Sequence, residues 1–136
     1  MSFVLDSSAT LALLLPDEQS AAMDRVAQAL LRSPALVPAI WPLEVRNALL
    51  FALRARRITP REFDDRVGIL EALPVEIDAD AGHDVQSRTM DIARRHGLTV
   101  YDASYLELAR RSGLPLATLD RGLRKAGAAL KVRLLP

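Results

Sequence analysis

The stretch Phe3-Val4-Leu5-Asp6-Ser7-Ser8 reads as three consecutive apolar residues, one acid and two hydroxyls. An apolar triplet without polar alternation is the pattern of a strand buried on both faces, as in a parallel sheet covered by helices. Asp6 ends the run. Ser7 and Ser8 suit the opening of a helix, predicted through Leu14 and stopped by Pro16. A buried strand delivered straight into a helix is the first half of a strand–helix–strand unit, and the rest of the chain repeats that alternation.

Residues 18–32 carry helical periodicity, with Ala22, Val26, Ala29 and Leu30 on one face. Leu36-Val37 is a second short strand between Pro34 and Pro38. Pro42 fits the first turn of a long helix reaching about Arg57, with Val45, Ala48, Leu49, Ala52 and Leu53 as its core stripe. Thr59-Pro60 caps the next helix, which turns Phe63, Val67 and Leu70 inward. Residues 75–77 make a third strand. Asp80 is the expected cap of a helix ended by Gly97. Residues 99–111 form a helix apolar nearly all round, residues 116–119 a strand, Asp120 the start of a short helix, and residues 132–135 an edge strand. The expected fold is α/β, with a parallel sheet of four to five strands covered by helices. At 136 residues it is read as one domain, 1–136.

Composition removes several classes of function. Eighteen basic against seventeen acidic side chains leave a net charge of +1, so bulk-charge binding of nucleic acid is excluded. With no cysteine there is no disulfide framework, thiolate zinc site or cysteine nucleophile. A reducing, cytoplasmic setting is expected. No apolar run approaches the roughly 20 residues of a membrane span, and the N-terminus does not read as an export signal. The six glycines form neither G-x-G-x-x-G nor G-x-x-x-x-G-K, so the usual nucleotide-binding loops are absent. His83 and His96 share no motif, and no Gly-x-Ser-x-Gly elbow exists.

Carboxylates remain, and their placement is informative. Asp6 and Asp120 each end a predicted strand. Glu44 and Asp102 each lie in the first turn of a predicted helix. In an open α/β sheet, ligands bind outside the carboxyl ends of the strands. Any one of the four acids could simply cap a helix and suit its dipole. Four acids at one end of a sheet, however, repel each other, and the main use of such a cluster is to hold a hard divalent cation through oxygen. Magnesium or manganese so held orients water and phosphate for in-line attack at phosphorus. The residues therefore point to a metal-dependent phosphodiesterase or nuclease, with Asp6, Glu44, Asp102 and Asp120 as both metal-binding and catalytic candidates.

Four segments carry a family resemblance: Phe3 to Ala9, Glu44 to Leu49, Leu98 to Tyr105, and Leu114 to Asp120. In this order, across nearly the whole chain, they resemble the motifs of PIN-domain proteins, most closely the VapC-type toxins of bacterial toxin–antitoxin pairs. The resemblance implies a three-layer α/β/α fold and Mg²⁺- or Mn²⁺-dependent RNA cleavage. It also implies a homodimer and inhibition by a small cognate antitoxin, with no membrane partner. Carried over by position, Asp6, Glu44, Asp102 and Asp120 form the acidic pocket. Thr118 is expected beside the metal-binding acids, and Ser7 is a weaker candidate of the same kind.

RNA must also be held. Arginines cluster at 54–61, 94–95, 110–111 and 121–124, and several of them equally suit helix C-termini. Arg121 and Arg124, just past Asp120, are the chosen phosphate contacts. Trp41 and Tyr101 are both expected in the core, and with 4% aromatics no base-stacking platform is foreseen. The competing reading is a non-catalytic module, either PIN-like or receiver-like. A receiver needs paired acids after its first strand and a late Lys at a strand end. Here Ser7 follows Asp6, and the only lysines are Lys125 and Lys131. A haloacid-dehalogenase-like phosphatase needs Asp-x-Asp, and Ser8 takes the second acid's place.

Overall fold

Five very short strands give the molecule its plan. In the computed structural model, which describes residues 2–136, they are β1 (Val4–Leu5), β2 (Ala35–Val37), β3 (Val75–Ile77), β4 (Leu116–Ala117) and β5 (Leu134–Leu135). They form one sheet in the order β3-β2-β1-β4-β5, and every neighbouring pair is parallel. Parallel neighbours require crossovers, which the helices supply. These are α1 (Ser7–Leu14), α2 (Ala21–Arg32), α3 (Trp41–Arg54), α4 (Pro60–Ala72), α5 (His83–His96), α6 (Val100–Ser112) and α7 (Arg121–Ala129).

The strand order steps one way from β1 to β3, then back past β1 to β4 and β5. Right-handed crossovers place the helices of the two directions on opposite faces. Accordingly α1 to α4 pack against one another on one side, and α5 packs on α6, and α6 on α7, on the other. The three-layer α/β/α arrangement with a parallel five-stranded sheet is therefore as expected. Phe3, Val4, Leu5, Leu116 and Ala117 are 0–1% exposed, which explains why β1 and β4 read as unbroken apolar runs. Among the described residues no helix is long and apolar enough to cross a membrane.

Local chemistry sets most boundaries. Thr59 and Glu62 form a complete capping box at the start of α4, the hydroxyl accepting from the Glu62 amide and the carboxylate from the Thr59 amide. Gly97 and Gly113 end α5 and α6 in the left-handed conformation, φ +65° and +67°, which glycine adopts without a Cβ clash. Several expectations need correction. The helix read from Glu18 begins at Ala21 under a Ser20 cap, because Pro16–Glu18 closes into a separate 3-10 turn. Asp80 does not cap α5; it accepts from the Gly82 amide in the preceding loop, and Gly82 holds the cap position. Tyr101 is 56% exposed rather than in the core, because it sits in the first turn of α6, beyond the edge of the packed interior. Trp41 is buried as expected and donates from Nε1 to Thr10 Oγ1 at 2.9 Å.

Candidate active site

The strand order reverses between β1 and β4, and such a switch point is where an open α/β sheet leaves a crevice at its carboxyl end. The pairing Val4 with Leu116 and Leu5 with Ala117 brings Asp6 and Thr118 side by side at that edge, 112 residues apart in sequence. Asp6 is 1% exposed and Thr118 fully buried. The Asp6 carboxylate accepts from the Ala9 amide at 2.8 Å, from the Ser8 hydroxyl, and from the Thr118 hydroxyl. Ser8 and Thr118 are themselves held. Ser8 Oγ accepts from the Leu119 amide at 3.0 Å, and Thr118 Oγ1 from the Asp120 amide at 3.1 Å.

Ser8 rather than Ser7 therefore stands against Asp6. Helical geometry explains the swap: the carboxylate caps the first turn of α1, and the hydroxyl two residues on comes back to meet it, while Ser7 faces the Tyr105 phenol. Asx-type turn spacing, acid to hydroxyl at i+2, is the signal that would have selected Ser8.

The other acids arrive from three helices. Asp120 caps α7, its Oδ2 accepting from the Leu123 amide at 2.8 Å. Asp102 lies in the first turn of α6 beneath Thr99, whose hydroxyl accepts from the Asp102 amide at 3.0 Å. Glu44 lies in the first turn of α3 and accepts from the Tyr105 hydroxyl at 2.6 Å on Oε1. Electrostatics link the four in series. Burial pushes Asp6 up to about 6 against the lowering effect of its donors, and the Asp120 charge adds to the rise. Asp102 is raised by burial and then by Asp120. Glu44 is raised by burial, with a further contribution from Asp102. The structure thus brings together all four acids chosen from sequence, together with Thr118.

The capping role and the clustering are both real, and they separate on substitution. Asn caps as well as Asp, whereas Ala does not. Asp120→Ala is expected to lower stability by about 1 kcal/mol in EDTA. Asp120→Asn is expected to melt within a few tenths of a kcal/mol of the parent, or slightly above it as repulsion on Asp6 and Asp102 is relieved. Thermal melts of the three proteins in EDTA decide this, and a large loss in the Asn variant would contradict it.

Of the phosphate-contact candidates, Arg121 is exposed at the first position of α7. Arg124 is engaged within the fold. Its Nη1 donates to the Thr118 carbonyl at 2.8 Å and its Nη2 to the Pro136 carbonyl at 3.3 Å, so it secures the free ends of β4 and β5. Arg57 is held by Asp17 and Glu18 at 3.1 and 3.0 Å. Arg111 belongs to a group not foreseen from sequence. Its guanidinium bonds Glu107, only 2% exposed, at 2.8 Å and Asp78 at 2.6 Å, while Arg88 reaches Glu107 at 3.4 Å.

The pocket's donors are carboxylate and hydroxyl oxygens alone, the set that suits a hard cation. Among the described residues no three His, Cys, Asp or Glu side chains close around one point tightly enough to cage an ion.

A parallel sheet with acids from β1, α3, α6 and the β4–α7 junction meeting at its switch point agrees with sequence comparison, in which residues 3–129 match the PIN domain. The chain belongs to the PIN-domain family. It is 37% identical over 133 residues to Ribonuclease VapC3 of Pyrobaculum aerophilum, covering 96% of this chain and 98% of that protein. Its fold is shared with VapC20 of Mycobacterium tuberculosis, titled a sarcin–ricin-loop-cleaving toxin (TM-score 0.65, 18% identity, 93% of this chain and 95% of that one). It is likewise shared with a chain of a toxin–antitoxin complex from Klebsiella pneumoniae (TM-score 0.61, 17% identity, 87% and 86%).

Proposed function

We propose that this protein is a Mg²⁺- or Mn²⁺-dependent endoribonuclease and the toxin of a toxin–antitoxin pair. The observation that carries this reading is the convergence of four carboxylates from four elements on one crevice, where the Asp120 charge raises Asp6 and Asp102, and the Asp102 charge raises Glu44. A lone cap has no need of such neighbours, and repulsion of this kind is relieved by a bound cation. The VapC ribonuclease relative and the toxin–antitoxin neighbour support the assignment of substrate and partner.

Asp6, Asp102, Asp120 and Glu44 would hold the cation, which when bound would polarise the scissile phosphate and ease ionisation of the attacking water. The protein's own part is placement. Ser8, Thr118 and the Ala9 amide fix the Asp6 carboxylate in one orientation. Asp120 and Asp102, more open to solvent than Asp6, stand where water can reach them. A carboxylate there accepts the proton of the attacking water, and Asp102, raised by burial and by the Asp120 charge, is the better suited of the two. Arg121, exposed beside Asp120, meets the RNA backbone. The cognate antitoxin inhibits by presenting a basic side chain, Arg by preference, to the same four acids. The active form is a homodimer.

The test is direct. Purified protein is expected to cut structured RNA with Mg²⁺ or Mn²⁺ and to stop in EDTA. Calorimetry is expected to register Mn²⁺ binding without RNA. A protein that folds, binds no divalent cation and leaves RNA intact would refute the reading.

A further inference from the structure

Tyr105 is not one of the four acids, yet it is a fully buried polar side chain bonded directly to one of them. Its side chain is 0% exposed and the bulkiest of the fully buried ones. A phenol so deeply buried normally finds a partner for its hydroxyl, and this one donates to Glu44 Oε1 at 2.6 Å. The bond bridges two elements: Tyr105 is on α6, one turn after Asp102, and Glu44 is on α3. A second buried link, from Trp41 Nε1 to Thr10 Oγ1 and from Thr10 Oγ1 to the Asp6 carbonyl at 2.6 Å, ties the start of α3 to the end of β1. That link holds the start of α3, three residues before Glu44, against the end of β1.

The bond also decides how Glu44 can bind. The phenol takes one lone pair of Oε1, while Oε2 receives no donor among the described residues and is the less encumbered oxygen. A carboxylate with one oxygen engaged offers a cation the other. One-oxygen ligation suits the small, octahedral Mg²⁺ and Mn²⁺. Ca²⁺ takes more oxygens at longer distances and favours carboxylates that bind through both. Groups that hydrogen-bond a metal-ligating carboxylate tune affinity in this manner.

Building on the metal-site reading above, we propose that Tyr105 is a positioning residue that restricts Glu44 to one-oxygen ligation and thereby selects Mg²⁺ and Mn²⁺ over Ca²⁺. Tyr105→Phe removes one oxygen and keeps the ring. Calorimetric titrations of parent and variant with Mn²⁺ and with Ca²⁺, without RNA, give the ratio of the two affinities. The Mn²⁺ preference is expected to fall by about tenfold or more in the variant, at the lower end of the range for lost outer-shell partners. A ratio equal to the parent's overturns the proposal, whatever the absolute affinities. A parent that binds no Mn²⁺ overturns the metal-site reading, and this one with it.

If Tyr105→Phe does not fold, as judged by circular dichroism, Tyr101→Phe leaves Tyr105 as the only tyrosine. Mg²⁺ drawn onto Glu44 then shifts the near-ultraviolet absorption of that single phenol. An unshifted band at saturating Mg²⁺ overturns the proposal.

Discussion

Asp6→Asn is expected to abolish RNA cleavage and, in the same molecule, to raise the melting temperature in EDTA. The amide keeps the shape and the Oδ1 acceptor for the Ala9 amide, so the α1 cap survives. What disappears is a charge held in a nearly water-free position. Folding moves this carboxyl from 3.8 to about 6. Above pH 6 the folded protein therefore carries an ionised group that prefers the unfolded chain's solvent, at a cost of at most about 3 kcal/mol. Between about pH 4 and 6 the folded state binds more protons than the unfolded one. Parental stability should accordingly rise as pH falls through that window, and the Asn variant should lose this part of the pH dependence. Cleavage is expected to fall at least about a hundredfold, more than the loss of a supporting outer-shell group. Melts at pH 7.5 and pH 5 beside a cleavage assay test both halves. An active variant, or one destabilised at pH 7.5, would contradict the account. Asp102→Asn is expected to share the loss of activity with a smaller gain in stability, since Asp102 is less buried.

Arg111→Ala is expected to destabilise the fold by about 3 kcal/mol, while Arg110→Ala stays within about 0.5 kcal/mol. The two arginines are adjacent and look equivalent in sequence. On α6 they point differently. Arg110 is exposed, and Arg111 bonds the buried Glu107 in its own helix and Asp78 after β3. Removing Arg111 leaves Glu107 with Arg88 alone at 3.4 Å. The figure is at the low end of the cost of stranding a buried charge, because Arg111 itself is partly solvated and Arg88 remains. Urea denaturation of both variants is the measurement, and equal midpoints would show the group to be energetically idle.

These cases mark how far the sequence could be read. The strands and the acids were legible because each rests on a local rule: an apolar run for burial, an acid at a strand end for the crevice. The sheet order could be anticipated only as far as Asp6 and Asp120 converging if their strands were neighbours, and β1 does pair with β4. Ser8 was missed although its signal is local, a hydroxyl two residues after an acid; Tyr105 and the Asp78 partner of Arg111 were missed for a different reason. Their roles are set by side-chain direction across elements far apart in the chain, and periodicity gives no information about a partner 61 or 33 residues away. The bonds of Arg124 to the Thr118 and Pro136 carbonyls were not legible, because a cation after an acid looks the same whether it faces phosphate or the carbonyls of a sheet edge.

The pairing of β1 with β4 also has a bearing on synthesis. Asp6 is made 112 residues before its hydroxyl partner Thr118, with Asp120 just after that partner and α6 with Asp102 not long before it. At about 5–20 residues per second, the ribosome exposes β1, α1 and α3 seconds before the strand that closes the crevice. Until then β1 lacks one of its two neighbours, and the acids of the first half stand without those of the second. A nascent chain that has not reached β4 is thus without the full set of four acids. The four acids meet only once the chain has been made through Asp120.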